Sequence, residues 1–107
     1  MNYKKNYYVL CTLEGDEKEE FLLFKLKNLS EGEIKSIQEK LLNDRPFVFD
    51  ILPFIDLVIV NTANYDFLGD HFYLLSSSSS SYNDNDQILE FNSDDDAKLW
   101  FELNYNI

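Results

Sequence analysis

A helix start at residues 29–34 (LSEGEI) constrains the fold of this sequence more than any other short segment. Ser30 and Glu33 have the spacing of a capping box, in which each side chain accepts a hydrogen bond from the backbone N–H of the other residue. Leu29 and Ile34 occupy the positions of a hydrophobic staple around that box. The sequence therefore predicts a helix of about four turns that ends near residue 45, because a proline follows. Its buried stripe is predicted to consist of Ile34, Ile37, Leu41 and Leu42.

Two apolar segments precede this helix and are typical of β-strands. Residues 7–14 (YYVLCTLE) and 20–27 (EFLLFKLK) are separated by glycine and charged residues, so we expect a β-hairpin. In the second strand, alternation places Leu22, Phe24 and Leu26 on one face and Lys25 and Lys27 on the other. In the first strand, alternation places Val9, Cys11 and Leu13 together on the inner face.

The second half of the chain contains three more strand-like segments and a second helix. Residues 55–60 (IDLVIV) have the composition of a buried central strand, whereas the apolar segment 47–54 is interrupted by Pro53. Residues 71–75 and 87–92 are short candidate strands. Ser93 has the position of an N-cap, and three aspartates follow it in the first helical turn. The inner face of this second helix is predicted to comprise Ala97, Trp100, Phe101 and Leu103.

These elements predict one α+β domain over residues 1–107, with a mainly antiparallel sheet of about five strands and two helices in the order β-β-α-β-β-β-α. A Ser/Asn/Asp-rich segment at about residues 76–86 separates the last two strands. We expect a hairpin loop or an exposed strand extension there rather than an interdomain linker. The 26 residues after Ser81 are too few for a second core.

Several kinds of chemistry lack the residues that they need. A single cysteine forms no intramolecular disulfide, which favours a reducing, cytoplasmic location, and the most apolar segment, residues 46–60, is too short and too polar to span a membrane. His71 lies near the serine run, but no nucleophile elbow or oxyanion loop accompanies it. The acidic segment 83–86 lacks the glycine and glutamate of a calcium loop. We therefore expect no catalytic residues, no metal site and no cofactor.

Two acidic features remain. Asp56 lies within a predicted core strand, where a carboxylate must be paired, hydrogen-bonded or protonated, so we expect it to face the open side of the sheet or to pair with Arg45 or a helix N-terminus. The net charge is −11, and residues 46–107 hold 11 acidic side chains against Lys98 alone. Such a surface repels nucleic acid and anionic lipid and attracts basic partners.

In length, charge and lack of catalytic motifs, the chain resembles phage anti-defence proteins, including anti-CRISPR and anti-restriction nucleic-acid mimics, and nuclease immunity proteins. This resemblance implies a non-enzymatic inhibitor in the host cytosol that binds a basic nucleic-acid-binding protein, either a nuclease or a defence effector. Carboxylates at i and i+2 of an extended strand are about 6–7 Å apart, close to the spacing of successive phosphates. The predicted partner-binding residues are Tyr82, Asp84, Asp86, Asp94, Asp95 and Asp96.

A second hypothesis is a non-enzymatic accessory or scaffolding protein. It would self-associate through a sheet edge or through the aromatic surface of residues 47–54. The oligomeric state is left open by the sequence.

Overall fold

The computed structural model describes residues 6–14, 19–44, 46–62, 72–75 and 88–105. Within these ranges the chain forms a five-stranded antiparallel sheet and three helices, so the α+β prediction is confirmed. The additional helix lies in the interrupted apolar segment before the third strand. No helix in the described ranges is long and apolar enough to cross a membrane.

The centre of the sheet is a hairpin of β1 (Asn6–Glu14) and β2 (Glu19–Leu26). Its register runs from Tyr8 opposite Lys25 to Glu14 opposite Glu19, which confirms the predicted hairpin. The prediction of a single inner face was too narrow, because apolar residues on both faces of these strands are buried. Continuous apolar runs such as FLLF are typical of strands that are covered on both sides.

Strand β3 (Ile55–Asn61) pairs with β2 and lies at the edge of the sheet, in the order β3-β2-β1-β4. None of its seven residues is buried. The prediction of a buried central strand was therefore wrong. β-Branched residues favour an extended backbone, but their density does not determine how many neighbouring strands are present. Asp56 is exposed, in agreement with the expectation that it faces away from the core.

The last two strands, β4 (Phe72–Leu74) and β5 (Leu89–Phe91), both pair with β1. β4 pairs with the stretch from Cys11 to Leu13, and β5 pairs with the stretch from Asn6 to Tyr8. In the described residues the two strands do not pair with each other. The expectation of a hairpin loop or an exposed strand extension between them stays a prediction. The serine-rich segment at about residues 76–86, and His71, lie outside the described residues.

Helix α1 (Glu31–Asn43) begins with the predicted capping box. The backbone N–H of Glu33 donates to Ser30 Oγ at 3.2 Å, and the backbone N–H of Ser30 donates to Glu33 Oε1 at 3.2 Å. Ile34, Ile37 and Leu41 are buried as predicted, whereas Leu42 is 57% exposed and does not belong to the buried stripe. The helix ends two residues before the predicted limit.

The segment after α1 forms a short helix, α2 (Val48–Ile51), that continues into a 3₁₀ turn, Leu52–Phe54. Val48 and Ile51 are buried in the same core as the inner residues of α1. This core also contains Cys11, which confirms its predicted inward position. Helices α1 and α2 therefore cover one face of the sheet.

Helix α3 (Asp94–Tyr105) covers the opposite face. Ala97, Trp100 and Phe101 are buried against the second set of sheet side chains, as predicted. Leu103 is 77% exposed, so its assignment to the inner face was wrong. Because helices lie on both faces, the sheet has two separate apolar cores.

Candidate partner-binding surface

The first residue of α3 is fixed to the sheet through its side chain. The Tyr8 hydroxyl of β1 donates to Asp94 Oδ1 at 2.6 Å. Lys25 Nζ of β2 lies 3.1 Å from Asp94 Oδ1 and donates to Oδ2 at 3.4 Å. The backbone N–H of Asp96 donates to Ser93 Oγ at 3.2 Å, which confirms the predicted N-cap. The start of α3 is therefore set by both local capping and contacts with two strands.

These contacts shift the pKa values of the groups that make them. The hydrogen bond from Tyr8, followed by the nearby Lys25 ammonium, lowers the pKa of Asp94 and outweighs the opposing effect of partial burial. Burial, followed by the hydrogen bond to Asp94, raises the pKa of the Tyr8 hydroxyl. At neutral pH the trio therefore consists of a neutral phenol, a carboxylate and an ammonium.

The outer face of α3 combines carboxylates with exposed leucines. Asp95, Leu99 and Leu103 follow one another at four-residue intervals and so lie along one side of the helix. Leu99 is 55% exposed and Leu103 is 77% exposed. Asp96 and Glu102 are exposed beside them. We call the set Asp95, Asp96, Leu99, Glu102 and Leu103 the α3 outer face.

The three consecutive aspartates at the start of α3 have different environments. The oxygens of Asp94 are engaged by Tyr8 and Lys25 within the domain, whereas Asp95 and Asp96 are exposed. The role of Asp94 in partner binding stays a prediction. The other predicted contacts, Tyr82, Asp84 and Asp86, lie outside the described residues.

Sequence reasoning did not assign Leu99 to a functional surface and placed Leu103 in the core. The position of the inner residues could have identified both leucines as exposed. With Ala97, Trp100 and Phe101 against the sheet, a step of about 100° per residue places Leu99 on the opposite side of the helix. The two leucines form a short exposed apolar strip that acidic residues flank.

A second exposed apolar surface lies on α2 and the 3₁₀ turn. Phe49 is 57% exposed and Leu52 is 51% exposed, and three-residue spacing places them on one side. Phe47 stacks at a tilt on Tyr73, with ring centroids 5.0 Å apart. Part of the apolar segment 47–54 therefore faces solvent.

A cleft of about 230 Å³ lies where β1 and β3 begin and β2 ends. Its polar lining includes Lys25, Lys27, Asn28 and Asp56. Lys25 is already paired with Asp94, and Asp56 opposes the charge of the two lysines. The cleft thus carries mixed charge.

Two further observations concern chemical reactivity. The described residues contain no group of three or more histidine, cysteine, aspartate or glutamate side chains that could hold a metal ion. Cys11 is fully buried, and burial raises the pKa of its thiol well above the usual value. This thiol is therefore protonated at neutral pH and is a poor nucleophile.

Comparison of the chain with protein-family models, curated proteins and solved structures finds no match. The function must therefore be argued from the geometry and chemistry of the described surfaces.

Proposed function

We propose that this protein is a small, non-enzymatic inhibitor that binds the basic surface of a nucleic-acid-binding protein, a nuclease or a defence effector, and blocks its access to nucleic acid. The observation that carries this proposal is the α3 outer face, where exposed carboxylates flank two exposed leucines. The proposed location is the cytoplasm, where such a partner would meet nucleic acid.

The carboxylates give the surface its preference for a basic partner. Asp95, Asp96 and Glu102 would accept hydrogen bonds from lysine and arginine side chains that otherwise contact phosphates. The net charge of −11 would accelerate the encounter at low salt and would repel nucleic acid and anionic membranes. Asp84 and Asp86 are proposed to extend the acidic surface, with Tyr82 as an aromatic anchor.

The leucines favour a protein partner over a soluble polycation. Leu99 and Leu103 offer apolar area that would lose its contact with water when a shaped protein surface covers it. A purely electrostatic mimic would need no such side chains. The expected partner surface therefore has an apolar centre with lysine or arginine residues around it.

The first experiment is affinity capture of the tagged protein from a nuclease-treated host lysate at low and high salt, with mass spectrometry of the retained proteins. We expect one basic nucleic-acid enzyme, retained much less at high salt because ions screen the charge interaction. Purified partner would then bind nucleic acid less well as the protein is added. Retention of neutral or acidic proteins alone at both salts would contradict the proposal.

Variants of the α3 outer face test the surface itself. Asp95→Lys and Asp96→Lys should each weaken binding of the purified partner by about tenfold or more, since each replaces an attraction with a repulsion. Glu14→Lys and Glu39→Lys make the same charge change at exposed positions on other elements and are the matched controls. Equal losses from all four substitutions would indicate that only the total charge matters.

The apolar part of the surface is tested by a matched pair of variants. Leu99→Ser should weaken partner binding, whereas Leu42→Ser should not, although the two leucines are 55% and 57% exposed. Leu42 lies on α1, on the other side of the sheet. Equal binding by the two variants would exclude Leu99 from the interface.

The exposed side chains of Phe49 and Leu52 favour a second candidate function, an accessory or scaffolding protein that self-associates through this aromatic surface. Size-exclusion chromatography with light scattering separates the two functions. A stable oligomer that resists high salt and is lost in Phe49→Ser would support scaffolding. A monomer under all conditions would exclude it.

A further inference from the structure

The edge strand β3 combines an apolar sequence with incomplete burial, and Leu57 is its one exposed aliphatic residue. Five of its seven residues are aliphatic, namely Ile55, Leu57, Val58, Ile59 and Val60, yet none of the seven is buried. In the described residues, β3 has a strand neighbour on the β2 side alone. The N–H and C=O groups on an open strand edge can pair with another extended chain. An aliphatic strand in this position is therefore suited to receive an added strand.

The pairing of β3 with β2 is irregular at two places. The register moves from Leu23 opposite Val60 to Phe24 opposite Val58, so Ile59 has no opposite residue in β2. A second shift leaves Asp56 without an opposite residue. Such bulges increase the local twist of a strand. Bulges oppose pairing between strand edges, so two rigid copies of this edge would have to match all of these irregularities, and an added segment would have to be flexible enough to follow them.

The charge of β3 indicates the chemistry of that segment. Asp56 is the single charged residue of the strand, and it is exposed. A second copy of the chain would bring a further charge of −11 and is disfavoured by repulsion. A lysine or arginine in the added strand would pair with Asp56 across the new strand boundary.

β3 also packs against the helix that carries the α3 outer face. Helix α3 packs against β3, and Ile59 and Val60 contact the apolar core beneath α3. A partner that covers the α3 outer face and extends past the side of the helix would reach the strand. Stable interfaces bury about 1,200–2,000 Å² in total, which is more than one short helix face supplies.

We infer that β3 binds an extended, apolar segment of the partner as an added strand, with a lysine or arginine of that segment beside Asp56. The inference rests on the proposed function, because the segment belongs to the same basic partner. It adds backbone hydrogen bonding to the side-chain recognition provided by α3. Specificity would then come from the position of the basic residue in the segment.

Two synthetic peptides test the inference without the partner itself. Both alternate valine and threonine and end in serines, and they differ only at the centre, where one carries lysine and the other glutamate. Each is titrated into the isotope-labelled full-length protein, and the backbone amide resonances are followed by NMR. We expect the lysine peptide to shift the resonances of β3 and to bind at least about threefold more tightly than the glutamate peptide.

A charge swap provides the internal control. Asp56→Lys should reverse the preference, so that the glutamate peptide binds more tightly than the lysine peptide. Glu39→Lys makes the same charge change on the exposed side of α1 and should leave the preference unchanged. The amide spectrum of each variant shows whether it is folded. If Asp56→Lys is not folded, Asp56→Asn replaces it and should remove the preference without reversing it.

Three results would overturn the inference. The first is that neither peptide shifts the β3 resonances, and the second is that both peptides bind equally tightly. The third is that the β3 resonances move with protein concentration in the absence of peptide, which would identify a second copy of the chain as the occupant. The test is separate from that of the proposed function. If a partner needs Asp95 and Asp96 for binding but neither peptide shifts the β3 resonances, this inference alone is overturned. If the lysine peptide binds β3 but no basic partner is captured from the lysate, the proposed function alone is overturned.

Discussion

Asp94 joins three segments that are far apart in the chain. Its carboxylate accepts a hydrogen bond from Tyr8 of β1 and pairs with Lys25 of β2, while its backbone begins α3. A hydrogen bond to a charged acceptor contributes more than one between neutral groups. The trio therefore fixes the start of the helix that carries the proposed interface.

Removal of the Tyr8 hydroxyl should loosen this connection. Tyr8→Phe keeps the buried ring, and we expect the free energy of unfolding at neutral pH to fall by about 1–2 kcal/mol, since Asp94 is partly exposed and regains some hydration. Urea denaturation measures the change. Tyr73→Phe is the control, because the Tyr73 hydroxyl makes no hydrogen bond within the described residues. If both substitutions lower the free energy of unfolding equally, the hydrogen bond from Tyr8 to Asp94 makes no specific contribution to stability.

The same trio predicts a pH dependence. The pKa of folded Asp94 lies below its usual value of 3.8, so its stabilising contribution is complete above about pH 5 and is lost as the pH falls through the folded pKa. The stability difference between the wild type and Tyr8→Phe should therefore shrink below about pH 4. A difference that stays constant down to about pH 2 would contradict this assignment.

At the scale of elements, α1 owes its start to local interactions, whereas α3 also depends on the sheet. The side chains of Ser30 and Glu33 each accept a hydrogen bond from the backbone N–H of the other residue, as the sequence pattern predicts. The start of α3 combines the local cap at Ser93 with the distant contacts of Asp94. The two helix starts should therefore respond differently to substitution.

Ser30→Ala should lower the free energy of unfolding by about 1 kcal/mol, because it removes the acceptor of the Glu33 backbone N–H. Ser30→Asp should restore most of the loss, since aspartate is also a good N-cap. Chemical denaturation of each variant gives the comparison. Ser36→Ala, at an exposed position within the same helix, should be neutral or slightly stabilising. Destabilisation by Ser36→Ala equal to that by Ser30→Ala would rule out a specific capping effect.

At the scale of the whole molecule, self-repulsion is the main consequence of the charge. A net charge of −11 on 107 residues opposes the compact state, and added salt screens this repulsion. We expect the melting temperature to rise by about 2–5 °C between about 0.02 M and 0.2 M sodium chloride. Differential scanning calorimetry measures the shift.

A charge-reduced variant provides the control for this effect. Glu14→Lys combined with Glu39→Lys makes the net charge less negative at exposed positions, so its melting temperature should depend less on salt. An identical salt response in both proteins would mean that the effect is not electrostatic repulsion.

The sequence by itself determined the features that depend on neighbouring residues. The capping box of α1, the β1–β2 hairpin, the N-cap of α3 and the inward position of Cys11 follow from spacings of a few residues. Overall composition determined the acidic character, and the order of the predicted strands and helices indicated the α+β class. These features were predictable because the interactions that produce them are short in range.

Only the tertiary structure decided which apolar residues are exposed and which carboxylates are available. β3 became an edge strand because β4 and β5 both pair with the far side of β1. Asp94 differs from Asp95 because Tyr8 and Lys25 lie beside it. Each outcome depends on contacts between distant segments, and local patterns of charge and hydrophobicity do not specify which segments meet.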